Sequence, residues 1–215
     1  MGLAVATHVL ADALKDGDDP EHLEYLREQF AAINDLLAGE GLPAHTESEV
    51  RGAASMRSRL GGVPYSFVHY LRRAYARAHE KPDEALTPVA ADENPADDPA
   101  VDQLTYMFES HLLCHSDCEG YYVPVDFTEV LFPEDDSGLP GGMVGSSNAL
   151  LRELVYVAPY LGITLIDGEL SQTEIDRLCE EFDDDSPLYR EKETWLLLFE
   201  AARVSIENRT VITFC

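Results

Sequence analysis

The sequence predicts an α+β fold that is mainly α: a helical core carrying a small β element from the middle and C-terminal segments. Three observations predict it. Apolar residues recur at three- and four-residue spacing in five stretches, most of them opened by capping residues. Two short runs, residues 121–125 and 210–214, have the aromatic and β-branched composition of strands. Hydrophobic residues make up 45% of the 215, which is enough to bury a sizeable core.

Taken in order, residues 4–14 read as helical, with Val5 and Val9 leaving an N-terminal strand open. Asp19 is placed to cap the next helix, Pro20 suits its first turn, and Glu21 and Glu24 complement the positive end of its dipole. Leu23, Leu26, Phe30, Ile33 and Leu37 form its apolar face, and Gly39 and Gly41 end it. After Gly61-Gly62-Val63-Pro64 a second helix turns Phe67, Val68, Leu71, Ala74, Tyr75 and Ala78 inward, with Arg72, Arg73 and Arg77 pointing elsewhere. Those arginines, with Arg51, Arg57 and Arg59, are expected to pair with carboxylates of the same chain.

Residues 81–100 hold four prolines among acidic residues and read as a loop or linker. Residues 106–114 fit strand or helix equally. Residues 116–120 have turn chemistry, and the strand-like run that follows, ended by Pro124, suggests a hairpin. Ser146 or Ser147 caps a helix carrying Leu150, Leu151, Leu154, Val155, Ala158 and Leu161, stopped at Gly162. Ser171-Gln172-Thr173-Glu174 is a capping box for the next, which turns Ile175, Leu178 and Phe182 inward. Ser186-Pro187 opens the last helix, which contains Trp195, Leu198, Phe199 and Ile206. The chain reads as one domain, 1–215, with a possible N-terminal helical unit 1–80, the acidic proline-containing loop 81–100, and a C-terminal α+β unit 101–215.

The formal net charge is −26. So many carboxylates keep a protein soluble and steer cationic partners toward it. They disfavour direct nucleic-acid binding, since phosphates carry the same sign, and disfavour anionic membrane surfaces for the same reason. Lysine is confined to Lys15, Lys81 and Lys192, an imbalance that fits a salty cytoplasm as well as a partner. No apolar run approaches the ~20 residues of a membrane span. Met1–His8 lacks a secretory pattern, and four sparse cysteines do not make a disulfide framework, so the expected location is cytoplasmic.

Reactive side chains are densest between His111 and Glu119. Imidazole and thiolate suit zinc, which makes His111, Cys114, His115, Asp117 and Cys118 candidate ligands, although no second cluster with metal spacing accompanies them. A Cys–His nucleophile drawn from the same residues would need a third group to orient the base. The glycine-rich run 138–147 enters a helix N-terminus but lacks the lysine and spacing of a phosphate loop. No cofactor is expected. The acidic runs 16–19, 134–136 and 180–185 do not match a calcium loop.

The segment His115-Ser116-Asp117-Cys118-Glu119-Gly120-Tyr121-Tyr122-Val123-Pro124-Val125-Asp126-Phe127 resembles a stretch of an uncharacterised bacterial protein family. The Met1-Gly2-Leu3 opening and Pro64-Tyr65-Ser66 are similar to it as well. The resemblance implies no activity. Small acidic bacterial proteins of this kind are often immunity proteins of toxin systems, an analogy of class that assigns no residue a role.

The reading that results is an acidic cytosolic binding protein, immunity-like, that docks to a basic protein partner through Glu134, Asp135, Asp136, Asp183, Asp184 and Asp185, with no nucleic acid and no membrane involved. The alternatives are a metal-dependent hydrolase built on the His111–Glu119 cluster and a structural or regulatory helical module; catalysis is the less expected.

Overall fold

The computed structural model describes residues 2–17, 19–58, 60–134, 136–183 and 185–215. Asp18, Arg59, Asp135 and Asp184, which figure in the sequence reading, lie outside the described residues. The fold is α+β and mainly α, as expected, but the β element is larger than the middle and C-terminal segments alone. Residues 4–14 divide, with strand β1 at Gly2–Thr7 and helix α1 at Val9–Asp16. Strand β2 (Gly62–Pro64) pairs antiparallel with β1. Strand β7, closing the chain at Ile212–Phe214, pairs antiparallel with β1 on one side, Val5 opposite Phe214. On its other side β7 pairs with β3 (Gly120–Val123), Tyr121 opposite Thr213.

The expected hairpin at residues 121–125 does not form. Strand β3 lies inside the sheet, between β7 and a parallel strand β4 at Val144–Ser146, giving the order β2-β1-β7-β3-β4. A short pair, β5 (Leu165–Ile166) with β6 (Glu169–Leu170), stands apart.

Strand alternation gives the sheet two apolar faces. Leu3, Val5, Tyr122, Ile212 and Phe214 face one core, with helices α3 (Tyr65–Glu80), α6 (Ser147–Val157), α7 (Gln172–Glu180) and α8 (Tyr189–Asn208). Trp195 is at its centre, fully buried, its indole N–H donating to the Leu154 carbonyl at 2.8 Å. Tyr121, Val123, Val144 and Val211 face a second core, made with α1 and with α2 (Pro20–Gly39). The expected caps are in place: Asp19 accepts from the Glu21 N–H, Ser146 from Ala149 and Ser171 from Glu174.

One feature of the first core corrects the sequence reading. Arg72 and Arg73 do not point away from it; each is less than a tenth exposed. Arg73 and Arg77 share the Asp98 carboxylate at 3.0 and 2.8 Å, whereas Arg72 donates to backbone, the Leu112 and His115 carbonyls, and among the described residues pairs with no carboxylate. Residues 81–94 run as a loop, tied to α3. Arg73 also holds the Thr87 carbonyl at 3.0 Å, and Pro95, Asp98 and Ala100 are buried ahead of and within α4 (Pro99–Thr105).

Candidate functional site

The surface of α2 carries a regular row of carboxylates. Its buried side, Leu26, Gln29, Phe30, Ile33 and Leu37, is fixed against the sheet. At 3.6 residues per turn the opposite side collects Glu21, Glu24, Glu28 and Asp35, all exposed, within an arc of about 60°. Fourteen residues of helix span about 21 Å. Over that length one strand of duplex DNA presents roughly six phosphates, at one per 3.4 Å. The ridge offers four carboxylates in a line of comparable length.

A second acidic segment is tied to the buried side of α2. Gln29 Nε2, from the buried side of α2, donates to the Gly138 carbonyl at 3.1 Å, and Leu139 packs in the same core as Leu26 and Phe30. Glu134 and Asp136, both exposed, are carried on this loop. Asp183 and Asp185 are exposed too, but sit in the turn between α7 and α8, in the helical layer on the other side of the sheet. Asp183 there accepts the Asp185 N–H at 3.0 Å. The structure ties the loop that carries Glu134 and Asp136 to the buried side of α2 through Gly138, whereas Asp183 and Asp185 sit in the turn between α7 and α8.

Many of the chain's arginines are engaged away from the ridge, although Arg27 is exposed on α2 itself, between Glu24 and Glu28 in sequence. Arg51 pairs with Asp12, Arg57 and Arg203 with Glu200, Arg152 with Asp126, and Arg177 and Lys192 with Glu181. Among the described residues, none of Glu21, Glu24, Glu28, Asp35, Glu134 and Asp136 takes part in an ion pair. Glu200 shows the contrast. Burial pushes its carboxyl up, yet donors from Arg57 and Arg203 outweigh that and hold it below the usual range.

The His111–Glu119 candidates are dispersed among structural duties. His111 opens the one-turn helix α5 (His111–Cys114); its Nδ1 accepts the Ser146 N–H at 3.0 Å and its Nε2 lies 3.2 Å from the Thr128 carbonyl. His115 is stacked on Tyr122 at 4.1 Å, with Phe214 edge-on and Nδ1 at 2.8 Å from the Ser116 carbonyl. Burial lowers both histidines to about 4 and raises the Cys114 thiol. Asp117 pairs with His69 at 3.0 Å, and Cys118 is exposed. Among the described residues, no group of three or more His, Cys, Asp or Glu side chains is placed to hold a metal ion. Beside this cluster Glu153 accepts from the backbone N–H groups of His111 and Leu112 and from the Ser110 hydroxyl; burial nonetheless pushes it up to about 7.

Sequence reasoning missed the α2 ridge although its signal was present. Glu21 and Glu24 were read only as dipole partners, and the carboxylates at 28 and 35 recur in register opposite the apolar face. The bond between Gln29 and Gly138 left no signal in the sequence. Among the described residues, no helix is long and apolar enough to cross a membrane.

A family model described as "Putative DNA-mimic protein" matches residues 1–214. Neither the curated proteins nor the solved structures contain a match to the chain. The family match replaces the resemblance read from short islands with one over nearly the whole length. It also corrects the partner expectation, which left the partner as any basic protein; that nucleic acid itself is not bound is unaffected. In the family description DNA is the thing imitated, and the partner to which that description points is a DNA-binding protein. With residues 1–214 matched, the chain belongs to the family of putative DNA-mimic proteins.

Proposed function

We propose that this chain occupies the DNA-binding site of a DNA-binding protein, with Glu21, Glu24, Glu28 and Asp35 of α2, flanked by Glu134 and Asp136, standing in for phosphates. The observation that carries the reading is the ridge itself: exposed carboxylates in line, outside every ion pair among the described residues, on a helix anchored by a full apolar face. Anchoring matters because a rigid array loses little freedom when it binds, and charge complementarity accelerates encounter. Four free cysteines fit action in a reducing compartment such as the cytosol. An immunity-like role is one form of the same chemistry, in which the target is a nuclease.

The test is competition. The immobilised protein is exposed at low salt to nuclease-treated lysate of its source cells and then washed with excess duplex DNA. Release of a specific protein by the duplex, and its loss from a Glu21→Gln, Glu24→Gln, Glu28→Gln, Asp35→Asn variant, is expected. Retention that duplex DNA does not reverse, or no specific retention at all, rejects the reading.

One observation favours a second reading. Exposed carboxylates also stand far from α2, at Asp83, Glu84, Asp92, Glu93, Asp167 and Asp176. With three lysines in the chain, this spread fits solvation in a salty cytoplasm. Stability that rises steeply into molar KCl, with no DNA-displaceable partner, would place that reading first.

A further inference from the structure

We infer that the turn Tyr106-Met107-Phe108, with Phe132 beside it, is an apolar anchor that inserts into the protein partner next to the partner's DNA-contact surface. This rests on the proposed function and deepens it, because an acidic ridge alone cannot tell one DNA-binding protein from another. Tyr106, Met107, Phe108 and Phe132 are 78%, 58%, 56% and 48% exposed. They are four of the eight large apolar side chains exposed among the described residues, and three of them are consecutive.

The cluster is held in one arrangement. Phe108 and Phe132 meet edge to face at 5.6 Å, from separate loops. Phe108 has φ of 56°, a left-handed conformation uncommon for a bulky residue, and its N–H donates to the Thr105 carbonyl at 3.0 Å. The ring is thus turned outward and braced there instead of folding onto the core.

The surroundings point to the occupant. Asp102, Glu109, Glu129 and Glu134, all exposed, neighbour these apolar residues along the chain. Phe132 is carried ahead of Gly138, whose carbonyl accepts from Gln29 on the buried side of α2, so the segment bearing the anchor is tied to the helix that carries the ridge. A matching surface is an apolar recess bordered by Lys and Arg, beside a groove that takes phosphates. A second copy of this chain does not match, since each carries a net charge of −26 and would bring the same carboxylate rim against itself.

The anchor is tested with the protein that duplex DNA releases in the competition experiment, once purified, by measuring its affinity for full-length wild type, Phe108→Asn and Phe132→Ala at low and high KCl. Asn tolerates the left-handed conformation, so the first variant removes the ring and keeps the turn. Each variant is expected to bind about 30-fold more weakly at both salt concentrations, with the salt dependence of wild type, because the lost contact is apolar. Variants that bind like wild type and are still displaced by duplex DNA would overturn the anchor and leave the proposed function standing. Concentration-dependent self-association in wild type, absent in Phe108→Asn, would assign the patch to a second copy and overturn it as well. Failure to recover any DNA-displaceable protein overturns both readings together.

Discussion

Gln29 Nε2 donates to the Gly138 carbonyl at 3.1 Å, and this one bond joins two acidic segments 109 residues apart. Substituting Gln29 by Leu keeps the volume in the second core while releasing the loop. Global stability should change by less than about 1 kcal/mol, the scale of one neutral hydrogen bond. Hydrogen exchange at residues 137–139 should accelerate, and affinity for the DNA-displaceable partner should fall as the ridge loses its flank. Unchanged exchange there would show that Leu139 packing holds the loop unaided.

Neutralising the ridge separates function from folding. Glu24 and Glu28 are an i,i+4 like-charge pair, so Glu24→Gln with Glu28→Gln should stabilise the helix slightly, by about 0.2–0.5 kcal/mol. The four-site variant of the ridge should associate with its partner about 10- to 100-fold more slowly at low salt and lose most of its salt dependence. Chemical denaturation and stopped-flow binding read the two effects independently.

Glu200 is fully buried between Arg57, at 2.7 Å, and Arg203, at 3.0 Å. Glu200→Gln leaves Arg57 without its counter-charge and Arg203 with Glu207 alone, and should cost about 3 kcal/mol. Because the folded carboxyl is held below its unfolded value, its contribution is present at neutral pH and lost as pH falls through the folded value. The difference between wild type and variant should therefore shrink in acid. The emission of Trp195, the chain's single tryptophan and fully buried, reports unfolding in both.

His111 and His115 stay neutral in the folded chain down to about 4, where the unfolded chain protonates near 6.5. Between those values the unfolded state binds more protons, so stability falls as pH falls, by up to about 3 kcal/mol per histidine. Glu153 acts in the opposite direction: with its carboxyl raised from 4.5 to about 7, stability falls as pH rises through that window. His115→Phe should flatten the acid slope by up to about 1.4 kcal/mol per pH unit, and Glu153→Gln should make stability rise more steeply toward pH 7. Denaturant midpoints at half-unit pH intervals distinguish them.

Local pattern determined much of this molecule. Helix α2 and its Asp19 cap, the Ser146 and Ser171 caps and the closing strand at Ile212–Phe214 were legible because period, capping chemistry and composition act within a few residues. Net charge was legible as a sum. What the sequence by itself left open was every relation made across distance. Strand β1 forms because Val5 finds Phe214 and Leu3 finds Val63, partners that the helical reading of residues 4–14 could not weigh. Strand β3 lies inside the sheet because β4 and β7 flank it, not because of a turn beside it. Arg72 is buried because carbonyls at residues 112 and 115 come to meet it. The acidic face was legible only in part: Glu134 and Asp136 were named with Asp183 and Asp185, and tertiary packing tied the loop of the first pair to α2 through Gly138 and left the second pair in the turn between α7 and α8. Charge adds up along a chain, but a charged surface depends on which carboxylates meet an arginine and which meet water, and the fold alone decides that.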